Sequence, residues 1–416
     1  MKILIVTQYF WPENFRINDL ALGLLESGHE VTVLTGIPNY PVGQFFPGYG
    51  WFRKRREDFS GVNVIRVPLI PRGHGGGLRL TLNYLSFVLF ASLLGPVLCR
   101  GRFDLIFVYE PSPITVGLPA IVLKKLKRAP VMFWVLDLWP ESLAATGAVT
   151  SPRVLNGVRR LVHFIYRHCD RVLVQSRAFV EPVVQAGAAR GKILYFPNWA
   201  ESLFQSRNTD EAVIGADMFP QGFRVMFAGN VGVAQDFPTI LAAAELLRAE
   251  TDIHWLIVGD GRMLAWVQEE VERRALTQTV HLLGQHPLEL MPQFFDQADV
   301  MLVTLKREVI FSLTIPGKLQ SYLAYGKPVV AALDGAGAQV VEEAHAGRTC
   351  AAEDPQALAQ AVLAMRQASK AERTAMGQNG QAYYAKNFER AMLLSRLQQW
   401  MQELTVETRT SHLTDC

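Results

Sequence analysis

FRVMFAGNVGVAQDFPTILAAAELL, Phe223 to Leu247, holds one complete strand–turn–helix unit, and its reading decides the fold. Val225 to Ala228 is short and wholly apolar, the pattern of a strand buried on both faces. Gly229 and Gly232 follow, where backbone must turn sharply or approach a ligand at the carboxyl end of that strand. Ile240 to Leu247 then reads as an amphipathic helix.

The unit repeats toward the C-terminus. Ile253 to Val258 is a strand that runs into a second glycine turn, VGDGR (Val258 to Arg262), and strands follow at Val280 to Leu283, Val300 to Thr304 and Val329 to Ala332. One glycine turn is weak, since Gly at a strand–helix junction is often geometry alone. Two in consecutive units of one domain are stronger. Neither is the G-x-G-x-x-G fingerprint, and the first turn of the chain, TQYFWPEN, lacks it too, which disfavours a nicotinamide oxidoreductase.

The N-terminal half has the same rhythm. Ile3 to Val6 is a strand, and Ile17, Leu20, Ala21, Leu24 and Leu25 mark one helix face that Gly28 can close. Further strands are expected at Val31 to Leu34, Val62 to Val67, Leu105 to Val108, Val131 to Leu136, Val172 to Val174 and Ile193 to Phe196. Apolar strands alternating with helices indicate a doubly wound parallel sheet. Ser202 to Gln221 is polar and aperiodic and reads as a linker. The expected layout is an α/β chain of two Rossmann-like domains facing a cleft, 1–201 and 222–385. A helical C-terminal segment, 386–416, can pack back on the first domain. A chain of 416 residues suits two cores.

Thr81 to Cys99 has 19 uncharged residues, enough for a spanning helix. A span would put the strands at Val62 and Leu105 on opposite sides of a bilayer and tear the first sheet apart. The remaining readings are a crossover helix buried against the sheet and a helix lying in a membrane interface. The opening MKILIVTQYF has too short an apolar run for a signal peptide. Net charge is +3, without the broad basic face of a nucleic-acid binder. The cysteines, Cys99, Cys169, Cys350 and Cys416, have neither metal-ligand nor disulfide spacing, which fits a reducing compartment.

In TIPGKLQSYLAYGKPVV (Thr314 to Val330), Pro316 and Gly317 open a helix that Gly326 closes. The free N–H groups of a helix start suit a diphosphate, and Lys318 adds a point charge. An ordinary solvated lysine explains the residue equally well. GYGWFRKRRED (Gly48 to Asp58) sets Trp51 and Phe52 beside Arg53, Lys54, Arg55 and Arg56. Charge runs are usually solvated faces, but aromatics beside cations, near an apolar helix, suit an anionic membrane surface at roughly 1 kcal/mol per cation.

These residues resemble the retaining nucleotide-sugar glycosyltransferases of family GT4, with the GT-B fold. The likeness is closest to the bacterial colanic acid and O-antigen branch that includes L-fucosamine transferases. The stretches that carry it are Gln8 to Gly43, VLDLWPES (Val135 to Ser142), FPNWAE (Phe196 to Glu201), FAGNVGVAQDFPTIL (Phe227 to Leu241) and the IPGKL segment. The resemblance implies a nucleotide-sugar donor, of UDP-N-acetylhexosamine type such as UDP-L-FucNAc or else GDP-fucose, and an undecaprenyl-pyrophosphate-linked saccharide acceptor. It implies no cofactor or metal, and a cytoplasmic place on the inner face of the membrane. Donor contacts fall on Gly229, Asn230, Gly232, Gln235, Gly259, Gln285, His286, Thr314, Pro316, Gly317, Lys318 and Ser321.

The family's pair of glutamates eight positions apart, one toward the donor sugar and one toward the ribose, is replaced here by Leu313 and Ser321. The usual Arg and Lys are Asn230 and Gln235, and Glu308 is a candidate substitute for the lost pair, with a solvated loop glutamate as the plain alternative. On the first domain Asp137 ends an apolar strand; it can serve as base toward the acceptor or orient it, or simply cap the turn at Pro140. Glu13 and Glu110 are further catalytic candidates, with loop capping as the plain alternative. Two other functions fit the same fold: a nucleotide-sugar 2-epimerase, which needs neither acceptor nor membrane patch, and a non-catalytic membrane-docked subunit.

Overall fold

The computed structural model describes residues 1–73, 76–145, 147, 149–205, 214–215 and 218–414. The chain forms two compact units, Met1–Pro197 with Ala391–Cys416, and Asn198–Arg390. Among the described residues the first unit carries eight strands: β1 Lys2–Val6, β2 Glu30–Gly36, β3 Arg56–Phe59, β4 Val62–Val67, β5 Leu105–Glu110, β6 Val131–Val135, β7 Arg171–Val174 and β8 Ile193–Tyr195. They lie in the order β3-β4-β2-β1-β5-β6-β7-β8, parallel throughout except for β3 against β4. The sheet order reverses at β1 and β5, and that switch point is where open α/β sheets leave a crevice for ligands.

The second unit repeats the plan with β9 Phe223–Ala228, β10 Ile253–Val258, β11 Val280–Gly284, β12 Val300–Thr304, β13 Val329–Ala332 and β14 Gly347–Cys350. Their order is β11-β10-β9-β12-β13-β14, so its switch point lies at β9 and β12. The core strands are apolar on both faces because helices cover both; β5 and β10 are buried along their whole length.

The structure adds strands that alternation does not reveal. β3 begins inside the basic run at Arg56, and β14 is a short polar edge strand. The first unit ends at Pro197, ahead of the boundary expected at 201, and the second runs on to Arg390, past 385. The linker expected over 202–221 is corrected at both ends. Ser202–Phe204 makes a 3-10 turn, and Phe204 and Phe219 are buried in the second unit's core. Residues 206–213 and 216–217 of that linker lie outside the described residues.

Helix Arg390–Thr414 gives its segment from Ala391 onward to the first unit. Leu393, Leu397, Met401 and Leu404 are buried at helical spacing, while Glu407 takes two hydrogen bonds from Arg171, at 2.8 and 2.7 Å. The apolar row carries the packing, since exposed ion pairs contribute little.

Helix Gly77–Leu98 is long and apolar enough to cross a membrane, by length and composition alone. Its two faces differ. Asn83, Phe87, Ala91 and Gly95 are buried, and Asn83 is pinned by Gln8 Nε2 at 2.7 Å and by the Ile70 carbonyl at 2.6 Å. Leu78, Leu82, Leu85, Leu89, Leu93 and Val97 stand exposed as one stripe. The helix is therefore a crossover element with one face packed and an apolar face left open.

Candidate functional site

A cavity of about 570 Å³ opens in the second unit at the carboxyl ends of β9 and β10. That volume is in the range of small-molecule sites. Gly229, Asn230, Gly259 and Asp260 form its polar wall, and Phe204, Leu288, Met291 and Phe295 form an apolar shelf beside Gln285 and His286. The shelf is rigid: Phe204 stacks on Phe295 at 5.1 Å, and the Tyr322 hydroxyl donates to the Ala228 carbonyl at 3.1 Å.

The two glycine turns interlock. Gly229 N–H donates to the Val258 carbonyl at 2.9 Å and Val231 N–H to the Asp260 carbonyl at 2.8 Å. Gly259 has φ +141°, and a Cβ there would stand 1.9 Å from the Gly229 carbonyl oxygen. Only glycine fits both demands. Gly259→Ala should cost about 1–3 kcal/mol, read as a melting temperature several degrees lower, with weaker nucleotide binding by calorimetry. Unchanged melting and binding would mean the turns can part without loss.

Lys318 sits in the first turn of helix Gly317–Tyr325. Its ammonium is out of water with no hydrogen-bond partner among the described residues, 3.6 Å from the Phe227 ring centroid. It also lies 3.3 Å from where a Cβ on Gly229 would be. Burial pushes its pKa down to about 7. A solvated helix lysine does not look like this. An unpaired buried cation beside a helix N-terminus and a glycine turn is a place waiting for an anion.

Of the expected donor residues, Gly229, Asn230, Gly259, Gln285, His286, Lys318 and Ser321 line this cavity. Gly232, Gln235, Thr314, Pro316 and Gly317 do not. Gly232 lies where a Cβ would meet Asn230 Nδ2 at 2.5 Å, and Gln235 stands behind it. The Thr314 hydroxyl is turned inward, to the Ile310 carbonyl at 2.9 Å, and Pro316 is the N-cap of the helix. Glu308 is exposed and outside the lining. Residues the sequence did not single out are Glu201, Phe204, Asp260 and Tyr322. For Glu201 the FPNWAE motif is the available signal; Phe204 lies in the polar, aperiodic stretch 202–221 and carries none.

In the first unit Glu110 and Asp137 stand at the ends of the adjacent strands β5 and β6. Asp137 is half-buried; its Oδ2 accepts from the Trp139 indole at 3.0 Å, and burial raises its pKa above the ordinary aspartate range. Its carboxylate is also hydrogen-bonded to the Ser142 side chain and the Leu138 backbone N–H, both within the turn at Pro140. Glu110 is fully buried, and its Oε2 accepts from the Asp137 backbone N–H at 3.4 Å. Burial first, and the charge of Asp137 second, hold the Glu110 carboxyl well above the usual range. It supports Asp137 from beneath and is not placed to touch a substrate.

Glu13 is corrected likewise. Its Oε1 accepts from the N–H groups of Asn39 at 2.8 Å and Tyr40 at 2.7 Å, and its Oε2 from Phe10 N–H at 3.2 Å. Burial lifts its pKa to about 7 against those three donors. Glu13 braces two loops, with three backbone N–H groups held on its carboxylate. The basic run is divided. Trp51 donates to the Leu69 carbonyl at 3.1 Å, Lys54 lies over the Tyr49 ring at 4.8 Å, and Arg56 donates to the Leu98 carbonyl at 3.2 Å. Arg55 is half-buried, while Phe52, 89% exposed, and Arg53 face solvent.

Two family models match the chain, a glycosyl transferase 4-like domain over residues 14–199 and glycosyl transferases group 1 over residues 222–367. A putative colanic acid biosynthesis glycosyl transferase, WcaI of Escherichia coli K12, is 26% identical over 78% of this chain and 82% of its own. A probable glycosyltransferase of Pseudomonas aeruginosa, WbjE, is 29% identical over 55% of this chain and 58% of its own. Among solved structures, Anabaena HepE in complex with UDP superposes with a TM-score of 0.69 at 15% identity, over 97% of this chain and all of that one. The chain belongs to the glycosyltransferases, with the GT-B fold.

Proposed function

We propose that the second unit binds a nucleoside diphosphate sugar and that the first binds a lipid-pyrophosphate-linked saccharide, which receives the sugar with retained configuration. The observation that carries this is the buried, unpartnered Lys318 ammonium between the Gly229 turn and the start of helix Gly317–Tyr325. Placed there, a diphosphate meets one full charge and the helix N–H groups, and both stabilise it as it leaves the anomeric carbon. The shelf of Phe204, Leu288, Met291 and Phe295 suits the base. Asp137 orients the acceptor hydroxyl or takes its proton.

UDP is the favoured nucleotide, in keeping with the UDP complex of HepE, and an N-acetylamino sugar the favoured cargo, with GDP-fucose as the alternative. No metal or cofactor is needed in this reading. Calorimetry with UDP and GDP, followed by transfer assays with their sugars and a lipid-pyrophosphate acceptor, tests it. Absence of binding to either nucleotide would sink it. Donor consumed without an acceptor would favour the epimerase, and nucleotide binding with no turnover on any donor the partner subunit.

We also propose that the first unit docks on the inner face of the cytoplasmic membrane. The support is the exposed stripe Leu78, Leu82, Leu85, Leu89, Leu93 and Val97, together with Phe52 and Arg53. Vesicles with anionic headgroups should bind the protein, and Leu85→Ser with Leu89→Ser and Leu93→Ser should remove the salt-resistant part of that binding. High salt should strip the part due to Arg53 to Arg56, since screening at 1 M reaches within about 3 Å. No vesicle binding at low salt would leave the stripe a feature of the fold alone.

A further inference from the structure

We infer that Glu201 holds the ribose of the donor, accepting hydrogen bonds from its two vicinal hydroxyls. This rests on the donor-site reading above and adds a residue to it. The second unit opens with a short strap, Asn198 to Glu201, and the strap is fixed at three points. Gln320 Nε2 donates to the Asn198 carbonyl at 2.7 Å, the Ala200 N–H donates to the Tyr384 hydroxyl at 3.1 Å, and Ala200 and Phe204 are both buried in the core. The Glu201 backbone is therefore set with the rigidity of the core rather than of a loop.

Its side chain is delivered to the cavity wall at Ser321, which stands one helical turn from Lys318, and Glu201 itself lies three positions before Phe204 of the shelf. Ser321 Oγ donates to Glu201 Oε2 at 3.5 Å, the outer limit of a hydrogen bond and easily exchanged for a ligand hydroxyl. With the base on the shelf and the diphosphate at Lys318, the sugar ring of the nucleotide must pass this point. A carboxylate is wrong for the diphosphate, which it would repel, and right for a vicinal diol, whose two O–H groups it can accept together. The cavity wall's other carboxylate, Asp260, belongs to the second glycine turn, where its Oδ1 accepts from Gly261 N–H at 2.6 Å. Ser321 itself is too short to reach across the ring, so the carboxylate has to come from the strap.

The test is a binding cycle by calorimetry, with UDP against 2′,3′-dideoxy-UDP, and GDP against its dideoxy form, on wild type and Glu201→Ala. The wild type should prefer the hydroxylated nucleotide by about 10- to 100-fold, the worth of hydrogen bonds to a charged group. Glu201→Ala should remove that preference, lowering affinity for the diol and leaving the dideoxy form unchanged. Unchanged dideoxy binding also proves the variant's pocket intact. Glu201→Gln, close in shape, should retain part of the preference and covers the case in which the alanine variant fails to fold. A preference that survives both substitutions, or an equal loss for both nucleotides, would overturn the assignment while leaving the donor site in place. Failure of the wild type to bind either natural nucleotide would overturn the donor site, and this assignment with it.

Discussion

Asp137→Asn should lower kcat for sugar transfer by about 10²- to 10⁴-fold, the usual worth of a positioned proton acceptor, with nucleotide affinity unchanged. The cavity proposed for the nucleotide is lined by second-unit residues, so the substitution does not reach it. The amide keeps an oxygen for the Trp139 indole, now 3.0 Å from Oδ2, so the local brace survives. Stability should hold or rise slightly. A carboxyl whose folded pKa lies above its unfolded value destabilises the fold as pH climbs through the interval between them, and the neutral amide removes that cost. The same raised pKa puts the acid limb of the wild-type rate profile above about 3.9. Glu110→Gln retains an acceptor beneath the Asp137 N–H and should leave most of the rate. A variant that melts early yet turns over normally per folded molecule would make Asp137 a structural residue.

The sequence made the two sheets legible because buried parallel strands are continuous apolar runs. β4, β10, β12 and β13 fall where alternation places them, and β9 is two residues longer. β3 and β14 escape for the converse reason: edge strands need no apolar faces, and Arg56, Glu57 and Asp58 look like any charged turn. The glycine turns of the candidate donor site are readable, since a positive φ restricts residue type whatever packs around it. Carboxylates are not. Glu13, Glu110 and Asp137 all end up at strand ends or in loops after strands, but burial and backbone N–H groups separate a brace, a support and a half-buried acid. Neither is written in local sequence. Lys318 had equal claims as solvated residue and ligand; the missing datum was Phe227, ninety-one positions away, whose ring closes over the ammonium.

That enclosure makes Lys318→Met a double test. In the free protein the lysine pKa stands near 7, against 10.5 for an open chain, because burial disfavours the charge. Between those values the unfolded chain binds more protons than the folded one, so the native state gains stability as pH rises from about 7 toward 10.5. Below that window the full penalty is present. Methionine matches the stem and carries no charge, so the ligand-free variant should melt higher at pH 7; a relief of about 2 kcal/mol would raise Tm by about 4–8 °C. It should also lose the pH dependence that Lys318 contributes. A bound diphosphate reverses the balance by giving the ammonium a partner, so the wild type should take up a proton when it binds UDP near pH 7. That uptake appears as a binding enthalpy that varies with the ionisation heat of the buffer. The methionine variant should show no uptake and bind about 10²-fold more weakly, as for a lost charge-assisted contact. A cation that merely supported the fold would give the opposite pair, a lower melting temperature with unaltered UDP affinity, and that result would remove Lys318 from the donor site.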